Sequence, residues 1–570
     1  MNDDRHDDAL ESARGAAAAG AQPAWAGAPA GAGAPAGVGG PADAGAPWQN
    51  ASWQAGPDIL AGNGRGGLDD YEAGPGRRRA PWALAGGAAV LVLALVGGVT
   101  YAVGSLTGGG GGSQPATALP SGAFGLISVD LDPSAGQKLD GFRFMRKFPT
   151  LKSKVPLSGD VREIAFDALS EQAGWGDVDY AKDVEPWLGK RMGLAAYAPA
   201  DAATTTDPAD ATPTWVLALQ VTDDSAAKDG LARLTRDAQS AGQVGYVVAG
   251  DYALIAPSSA VARQMADRAE RGTLSTDTAF AADMDAAEDG IAVAWVDMGA
   301  AGKALGSSSI GLGGASSALG LASGASGRST LVARFDGPDV FEVVGRATGA
   351  DTAGWSTHPV NGLGELPAST AVAVGISDGS RLVPTAYESM KKSFGARDVD
   401  LDSLASTFEQ QYGIRFPADL ALLFGDNIVL ALDGTKGDQL SLGARITTDA
   451  AAATAVLDKV QTVLGSQGAD FPLVRRTVGK DLVVASSKAQ AGRLAERGTL
   501  GDVSSFSKAL PGLSDADVAV WVDPVAVMGS FGQDNTDKDL GAIAGIGVTM
   551  TSRASGDKGV AAYRFRLVTR

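Results

Sequence analysis

LPSGAFGLISVDLDPSAGQKLDGFRFMRKF, residues 119–148, has a counterpart later in the chain, LPASTAVAVGISDGSRLVPTAYESMKKSF at residues 366–394. Each stretch opens on Leu-Pro, continues as an apolar run, and then changes to residues with helical spacing. Recurrence of a whole structural unit is the mark of an internal repeat. We therefore interpret the two stretches as the starts of two copies of one module.

Four further blocks recur in the same order. Residues 183–197 match 419–433, the run from Trp215 matches the run from about Leu440, AERGTL occurs at 269–274 and 495–500, and VAWVD at 293–297 recurs as VAVWVD ending at Asp523. Differences in spacing fall in loops, chiefly Pro199–Pro213. Five blocks in one order indicate a duplication.

The segments between the blocks predict the fold class. Val244–Val248 and Tyr252–Ala256 flank Gly250-Asp251, which is a hairpin signal. From Trp215 onward the order reads β-α-β-β-α-β, which favours a ferredoxin-like arrangement inside each module. The predicted fold class is α+β: two tandem copies of a largely antiparallel sheet-plus-helices module, partly ferredoxin-like, preceded by a disordered tail and one transmembrane helix.

The chain upstream of the repeat predicts a membrane anchor. Trp82–Leu106 is uncharged and apolar, and as a helix it is long enough to cross a hydrocarbon core of about 30 Å. Arg77, Arg78 and Arg79 precede it, and the next basic residue is Lys138. The positive-inside rule then places the N-terminus in the cytoplasm and the repeat outside. The predicted localisation is the cell membrane, single-pass, with extracellular C-terminal modules.

The predicted organisation follows from these features. It comprises a disordered cytoplasmic tail at 1–80, a transmembrane helix at 81–106, a flexible tether at 107–118, a first ectodomain module at 119–349, a linker at 350–365 and a second module at 366–570. The tail is rich in Ala, Gly and Pro, and such a composition buries too little apolar surface to offset the entropy of ordering.

Composition excludes several chemistries. The chain carries 47 Lys and Arg against 65 Asp and Glu, a net charge of −18, so its surface repels nucleic acid. There is no cysteine, which excludes thiol nucleophiles and thiolate metal sites. His6 and His358 are the two histidines, too few for a multi-histidine metal site within one folded unit. We expect no metal and no cofactor.

One motif has the pattern of a catalytic serine. Gly375-Ile-Ser377-Asp-Gly379 fits G-x-S-x-G between an apolar strand and a predicted helix. No histidine follows it, and the repeat aligns Ser377 with Asp130. A position that accepts Asp or Ser is typical of a strand-to-helix cap, so we favour capping over catalysis.

Other motifs are weaker. Ser389–Lys392 and Ser505–Lys508 fit S-x-x-K without the accompanying motifs of penicillin-recognising enzymes. Asp297 and Asp523 are predicted to cap the segments that follow them, with a metal-ligand role as the alternative. Predicted core residues are Trp187, Trp215, Trp295 and Trp521. The small-residue loops Gly302–Gly327 and Leu540–Val548 leave contact with lipid or an apolar ligand as an alternative.

The motifs LPxxxxxxxxVDLDPSAGQK at 119–138 and DVxPWLGxR at 183–191 resemble a known family. It is an uncharacterised group of actinobacterial single-pass membrane proteins, known as domain of unknown function 3352. The resemblance covers roughly residues 119–570 and implies no activity and no site residues.

The predicted function is that of a non-enzymatic, membrane-anchored binding or scaffold protein of the cell envelope. Expected partners are the membrane and an envelope protein, polymer or lipid, with no nucleic acid. Two alternatives stay open: a carrier of lipid or another apolar ligand, and a hydrolase that uses carboxylates or Ser377.

Overall fold

The computed structural model describes residues 113–152, 162–163, 166, 178–199, 213–236, 244–305, 327–350, 358–395, 400–433, 441–466, 473–530, 537–555 and 558–570. The predicted tail, the apolar segment Trp82–Leu106 and most of Gly302–Gly327 lie outside these residues. We call the part up to residue 350 the first half and the part from residue 358 the second half.

Each half contributes eight strands. The first half contains β1 (Ala123–Asp130), β2 (Leu188–Tyr197), β3 (Thr214–Val221), β4 (Gly245–Ala249), β5 (Tyr252–Ala256), β6 (Ala292–Asp297), β7 (Arg328–Phe335) and β8 (Val340–Ala350). The second half contains β9 (Thr370–Ser377), β10 (Asn427–Asp433), β11 (Leu442–Thr447), β12 (Val474–Val478), β13 (Asp481–Ala485), β14 (Val518–Val522), β15 (Ile543–Ser555) and β16 (Lys558–Thr569).

All sixteen strands form one sheet, in the order β12-β13-β11-β10-β9-β14-β15-β16-β8-β7-β6-β1-β2-β3-β5-β4. The halves therefore have the same internal order, and they meet where β8 pairs antiparallel with β16, from Val340 opposite Val568 to Ala350 opposite Gly559. The predicted fold class is wrong in this respect. The pairing of β8 with β16 merges the two halves into a single antiparallel sheet instead of leaving two tandem modules.

The ferredoxin-like part of the prediction is also wrong. β3 pairs antiparallel with β5, and β5 pairs with β4. β6 does not return to β3; it pairs with β1 and β7 instead. The first strands of the module, β1 and β2, separate the two parts that a ferredoxin-like sheet would join. The hairpin around Gly250-Asp251 was predicted correctly.

Helices pack on this sheet. Their bounds are α1 (Ala135–Met145), α2 (Pro149–Lys152), α3 (Asp224–Leu234), α4 (Ser259–Arg271), α5 (Thr278–Asp285), α6 (Met298–Leu305), α7 (Gly379–Gly395), α8 (Leu401–Tyr412), α9 (Ala418–Phe424), α10 (Ala450–Ser466), α11 (Lys488–Ala495), α12 (Ser504–Ala509) and α13 (Pro524–Ser530). Within the described ranges, no helix combines the length and the apolar composition needed to cross a membrane. The structure does not show the transmembrane helix predicted at 81–106, which falls outside those ranges.

Strand β9 shows why these residues form a two-layered structure. Ala371, Ala373, Gly375 and Ser377 are buried and alternate with half-buried residues, which is the period of a strand with one face on a core. The repeated blocks also meet one another. The Leu119 carbonyl accepts the Leu274 amide at 2.8 Å, and the Leu366 carbonyl accepts the Leu500 amide at 2.9 Å.

The joint between the halves has its own core and its own charges. Phe144, Met145 and Phe148 are buried beside Phe335, and Ile543 and Leu567 of the second half pack against them. On β8, the fully buried Glu342 accepts hydrogen bonds from Arg334 at 2.8 Å and from Arg566 at 2.7 Å. Arg564 lies 3.2 Å from the same carboxylate. Charges from both halves thus meet on one buried group.

Candidate functional site

Ser377 does not occupy a catalytic arrangement. It is 3% exposed at the end of β9, and its hydroxyl donates to the Asp517 carbonyl oxygen at 3.0 Å. Its amide donates to the same carbonyl at 2.9 Å. A backbone carbonyl cannot act as a base, and the hydroxyl bonds no amide of α7. The predicted capping role is therefore wrong as well, and the contact instead ties β9 to the start of β14.

The turn after Ser377 is unusual. Asp378 has a φ of 48°, the one positive φ of a non-glycine residue in the described part of the chain. Its amide donates to the Asp426 carbonyl at 2.7 Å, and its carboxylate lies 3.2 Å from His358 Nδ1. This turn leads the chain from the sheet into α7 and places Ser380 opposite Asp426.

A cavity of about 390 Å³ opens at this end of the sheet. It is lined by Ser380, Ala421, Leu422, Gly425, Asp426, Thr447, Thr448, Asp449 and Lys480, and we call it the Asp426 cavity. It lies beside the end of β11 and the residues that immediately precede β10, α10 and β13. Loop residues at the ends of a sheet are common positions for binding sites, because the rigid strands hold the loops in place while the loop side chains face solvent.

Gly425 allows the cavity to form. Its φ is 59°, a conformation that favours glycine, and a Cβ there would lie 2.4 Å from the Thr447 carbonyl oxygen. The Asp426 amide donates to that same carbonyl at 2.8 Å, which fixes Asp426 at the rim. Asp449, which also lines the cavity, caps the N-terminus of α10: its Oδ1 accepts the amides of Ala451 and Ala452 at 3.0 Å each.

The hydroxyl groups that line the cavity all donate to other groups of the protein. Ser380 donates to Asp426 Oδ1 at 3.1 Å. Thr447 donates to Asp481 at 2.7 Å, and Thr448 donates to the Leu422 carbonyl at 2.8 Å. What these hydroxyls retain toward the cavity is acceptor capacity.

The equivalent strand end in the first half carries a pair of lysines on one carboxylate. The Leu131 amide donates to the Lys190 carbonyl at 2.7 Å, just as Asp378 donates to Asp426. Lys190 thus holds the position of Asp426, and its amine lies 2.5 Å from Asp132. Lys138, 3% exposed, pairs with the other oxygen of Asp132. Ion pairs therefore stand at this strand end in the first half, where the second half carries Asp426.

These ion pairs join the two motifs that carried the family resemblance. Asp132 and Lys138 belong to VDLDPSAGQK, and Lys190 belongs to DVEPWLGKR. Burial alone would raise the pKa of Asp132, but the two lysines outweigh it and hold that pKa below its usual range. Asp132 is therefore paired with two lysine amines at once, an arrangement typical of a structural role.

The pKa of Asp517, whose carbonyl binds Ser377, is shifted in the opposite direction to that of Asp132. It is 5% exposed, and its Oδ2 accepts the Ser552 hydroxyl at 2.7 Å. Burial raises the pKa of Asp517 above the usual range despite the Ser552 hydrogen bonds, and the charge of Asp378 adds to the increase. The first half has the apolar Ile291 here, since the Ile291 carbonyl accepts the Asp130 amide.

The remaining predicted residues lie apart from the cavity. Asp297 accepts the Ala300 amide and Asp523 accepts those of Val525 and Ala526, so both capping predictions are confirmed. Lys508 of the second S-x-x-K motif pairs with Asp339 at 3.0 Å. Three of the predicted core tryptophans are buried (Trp187, Trp295 and Trp521), and Trp215 is half-buried. Leu540–Val548 is a 3-10 turn followed by β15, not a loop.

The sequence contained a signal for the cavity that the motif search missed. Aligning residues 183–197 with 419–433 places Lys190 against Asp426, a charge reversal inside a repeated block. No catalytic motif marks this position. In the described ranges, no group of three His, Asp or Glu side chains is arranged to hold a metal ion.

Residues 84–246 match a family model described as "Protein of unknown function (DUF3352)". The match ends at Tyr246, within β4, and includes both motifs that contribute Asp132, Lys138 and Lys190. The cavity residues lie beyond it. No curated protein and no solved structure matched the chain.

Proposed function

We propose that the protein is a non-enzymatic binding protein and that the Asp426 cavity binds a small polar ligand. The observation that carries this proposal is an open cavity of about 390 Å³ lined by two carboxylates, three hydroxyls and Lys480. Its volume falls within the range of ligand sites, about 300–1,000 Å³. In the matching region of the first half, Lys190 and Lys138 instead pair with Asp132.

The two alternative functions gain less support from the geometry. A hydrolase needs an activated nucleophile, and the Ser377 hydroxyl is buried and donates to a carbonyl. A carrier of apolar molecules needs an apolar lining, whereas Ala421 and Leu422 are the apolar side chains at this cavity. The absence of catalysis, the cell-envelope location and the protein, polymer or lipid partners stay predictions.

The cavity can be tested by filling it. Ser380 is half-buried at the mouth, so Ser380→Phe introduces a ring where the ligand would sit. A library of small polar compounds is screened against the folded chain by ligand-observed NMR. We expect hits that bind the native chain and lose their signal with Ser380→Phe. The control is Ser505→Phe, half-buried on α12 and remote from the cavity. Compounds that bind Ser380→Phe as tightly as they bind Ser505→Phe and the native chain would refute the proposal.

A further inference from the structure

We infer that the Asp426 cavity recognises a primary ammonium group. This inference rests on the proposed function and specifies the ligand class of the same site. It follows from the balance of hydrogen-bond donors and acceptors that the cavity offers, and from what occupies the equivalent position in the first half.

The cavity is rich in acceptors. Ser380, Thr447 and Thr448 direct their hydroxyl hydrogens to Asp426, Asp481 and the Leu422 carbonyl, so each presents lone pairs to a ligand. The lining side chain with donors to spare is Lys480, which is exposed. A neutral polyol needs donors and acceptors in similar number and would leave most of these acceptors unmatched. An ammonium group has three donors and no acceptor, which matches the lining.

The two carboxylates supply the charge. The hydrogen bonds that Asp426 and Asp449 receive all end on Oδ1: one from Ser380, and two from the first amides of α10. Among the described residues, neither carboxylate forms an ion pair, in contrast to Asp132 and Glu342. Two exposed carboxylates against one lysine give the lining a net negative charge, which together with the hydroxyl lone pairs favours a cation over an anionic ligand.

The first half shows an ammonium–carboxylate pair at the same strand end. At the backbone position of Asp426 it carries Lys190, whose amine binds Asp132 at 2.5 Å. Asp132 has no counterpart in the second half, where the residue after Asp378 is Gly379. The repeat therefore uses an internal ammonium–carboxylate pair at one copy. At the other copy it presents a carboxylate without the ammonium group.

Three probes with the same five-carbon chain isolate the head group: n-pentylamine, 1-pentanol and pentanoate. Each is titrated into the folded full chain, and binding is followed by saturation-transfer NMR. We expect pentylamine to bind about tenfold or more tightly than pentanol, with no binding of pentanoate, because a hydrogen bond to a charged group exceeds a neutral one by about that factor.

Two isosteric variants locate the binding. Asp426→Asn keeps the acceptor for Ser380, and Asp449→Asn keeps a good helix cap while losing its charge. Each is expected to weaken pentylamine binding about tenfold. The matched control is Asp223→Asn, since Asp223 caps α3 at the corresponding place in the first half. It should leave binding unchanged.

The outcomes separate the two proposals. Pentanol binding as tightly as pentylamine, with both signals lost in Ser380→Phe, would overturn the ammonium inference and leave the binding cavity standing. Pentylamine binding that survives both Asp→Asn changes would also overturn it. Probe binding that persists in Ser380→Phe would show that the probe does not bind in the cavity, and would overturn both proposals.

Discussion

Lys190 and Asp426 hold the same backbone position in the two halves of one sheet. The carbonyl of each accepts an amide at 2.7 Å from the residue that follows the first strand of its half. One side chain closes a cluster of ion pairs, and the other lines an open cavity. The duplication thus preserves the backbone position while it reverses the charge of the side chain.

Gly425 should be essential for the cavity. We predict that Gly425→Ala destabilises the fold by well over 1 kcal/mol, because it combines the strain of positive φ with a Cβ 2.4 Å from the Thr447 carbonyl. Gly413→Ala is the control: its φ is 68°, but a Cβ there meets no atom within 4 Å. Its cost should stay near 1 kcal/mol. Urea denaturation measures both, and equal losses would contradict the steric argument.

Asp517 should make stability depend on pH in one direction. Its folded pKa is raised above the ordinary 3.8, so the stability associated with its protonated form is present below that value and is lost as pH rises through the folded pKa. We predict that Asp517→Asn gains stability relative to the native chain as pH increases from 4 toward 7. Unfolding free energies measured across this range test the slope, and a difference that stays constant would refute it.

Asp283 should show the opposite slope. It is 7% exposed and accepts hydrogen bonds from Arg328 at 2.5 Å and from Trp295 at 2.9 Å. Burial alone would raise its pKa, but these partners hold that pKa below the usual range. Its contribution to stability is therefore present above pH 3.8 and lost as pH falls through the folded pKa. Asp283→Asn should cost about 1–3 kcal/mol at pH 7 and less in acid. The same titration series checks this, and a cost that grew in acid would contradict it.

Glu342 should control the joint between the halves. Removing its charge leaves Arg334, Arg564 and Arg566 facing a neutral buried group. We predict that Glu342→Gln costs about 3–5 kcal/mol. Amide hydrogen exchange should accelerate in β8 and β16 before the outer strands. Glu288→Gln is the control, because Glu288 pairs with Arg334 at an exposed position, where loss of a pair costs about 0–1 kcal/mol. Similar costs for both changes would count against this role.

Ser377→Ala tests the reassignment of the serine motif. The change removes a buried hydroxyl that donates to the Asp517 carbonyl at 3.0 Å and should cost about 1 kcal/mol. Chemical denaturation measures the loss, with Ser505→Ala as the half-buried control expected within about 0.5 kcal/mol. An unchanged midpoint for Ser377→Ala would show that the contact with β14 contributes nothing.

The sequence predicted features that depend on nearby residues. Hairpins such as the one around Gly250-Asp251, and the caps at Asp297 and Asp523, follow from turn and capping preferences over a few residues. The pairing of Val340 with Val568 leaves no such local signal, since either strand edge could have faced solvent. For the same reason the sequence suggested two modules instead of one sheet.

The site was less predictable than the fold. G-x-S-x-G drew attention to Ser377, but the hydroxyl points to a carbonyl across the sheet, a contact that spacing does not reveal. The cavity arises from Gly425, Asp449 and Lys480, which lie far apart in the chain. Comparison of the repeats position by position, rather than by motif, would have identified Asp426.

The central place of β16 also orders events during synthesis. β8 is complete about two hundred residues before β16 emerges, roughly 10–40 s at ordinary translation rates. Throughout that interval the edge of β8 has no partner, and an unpaired edge invites association with other chains. Strand β8 therefore pairs with β16 only late in synthesis. A chain truncated before Lys558 would keep the edge of β8 unpaired and would be prone to aggregate.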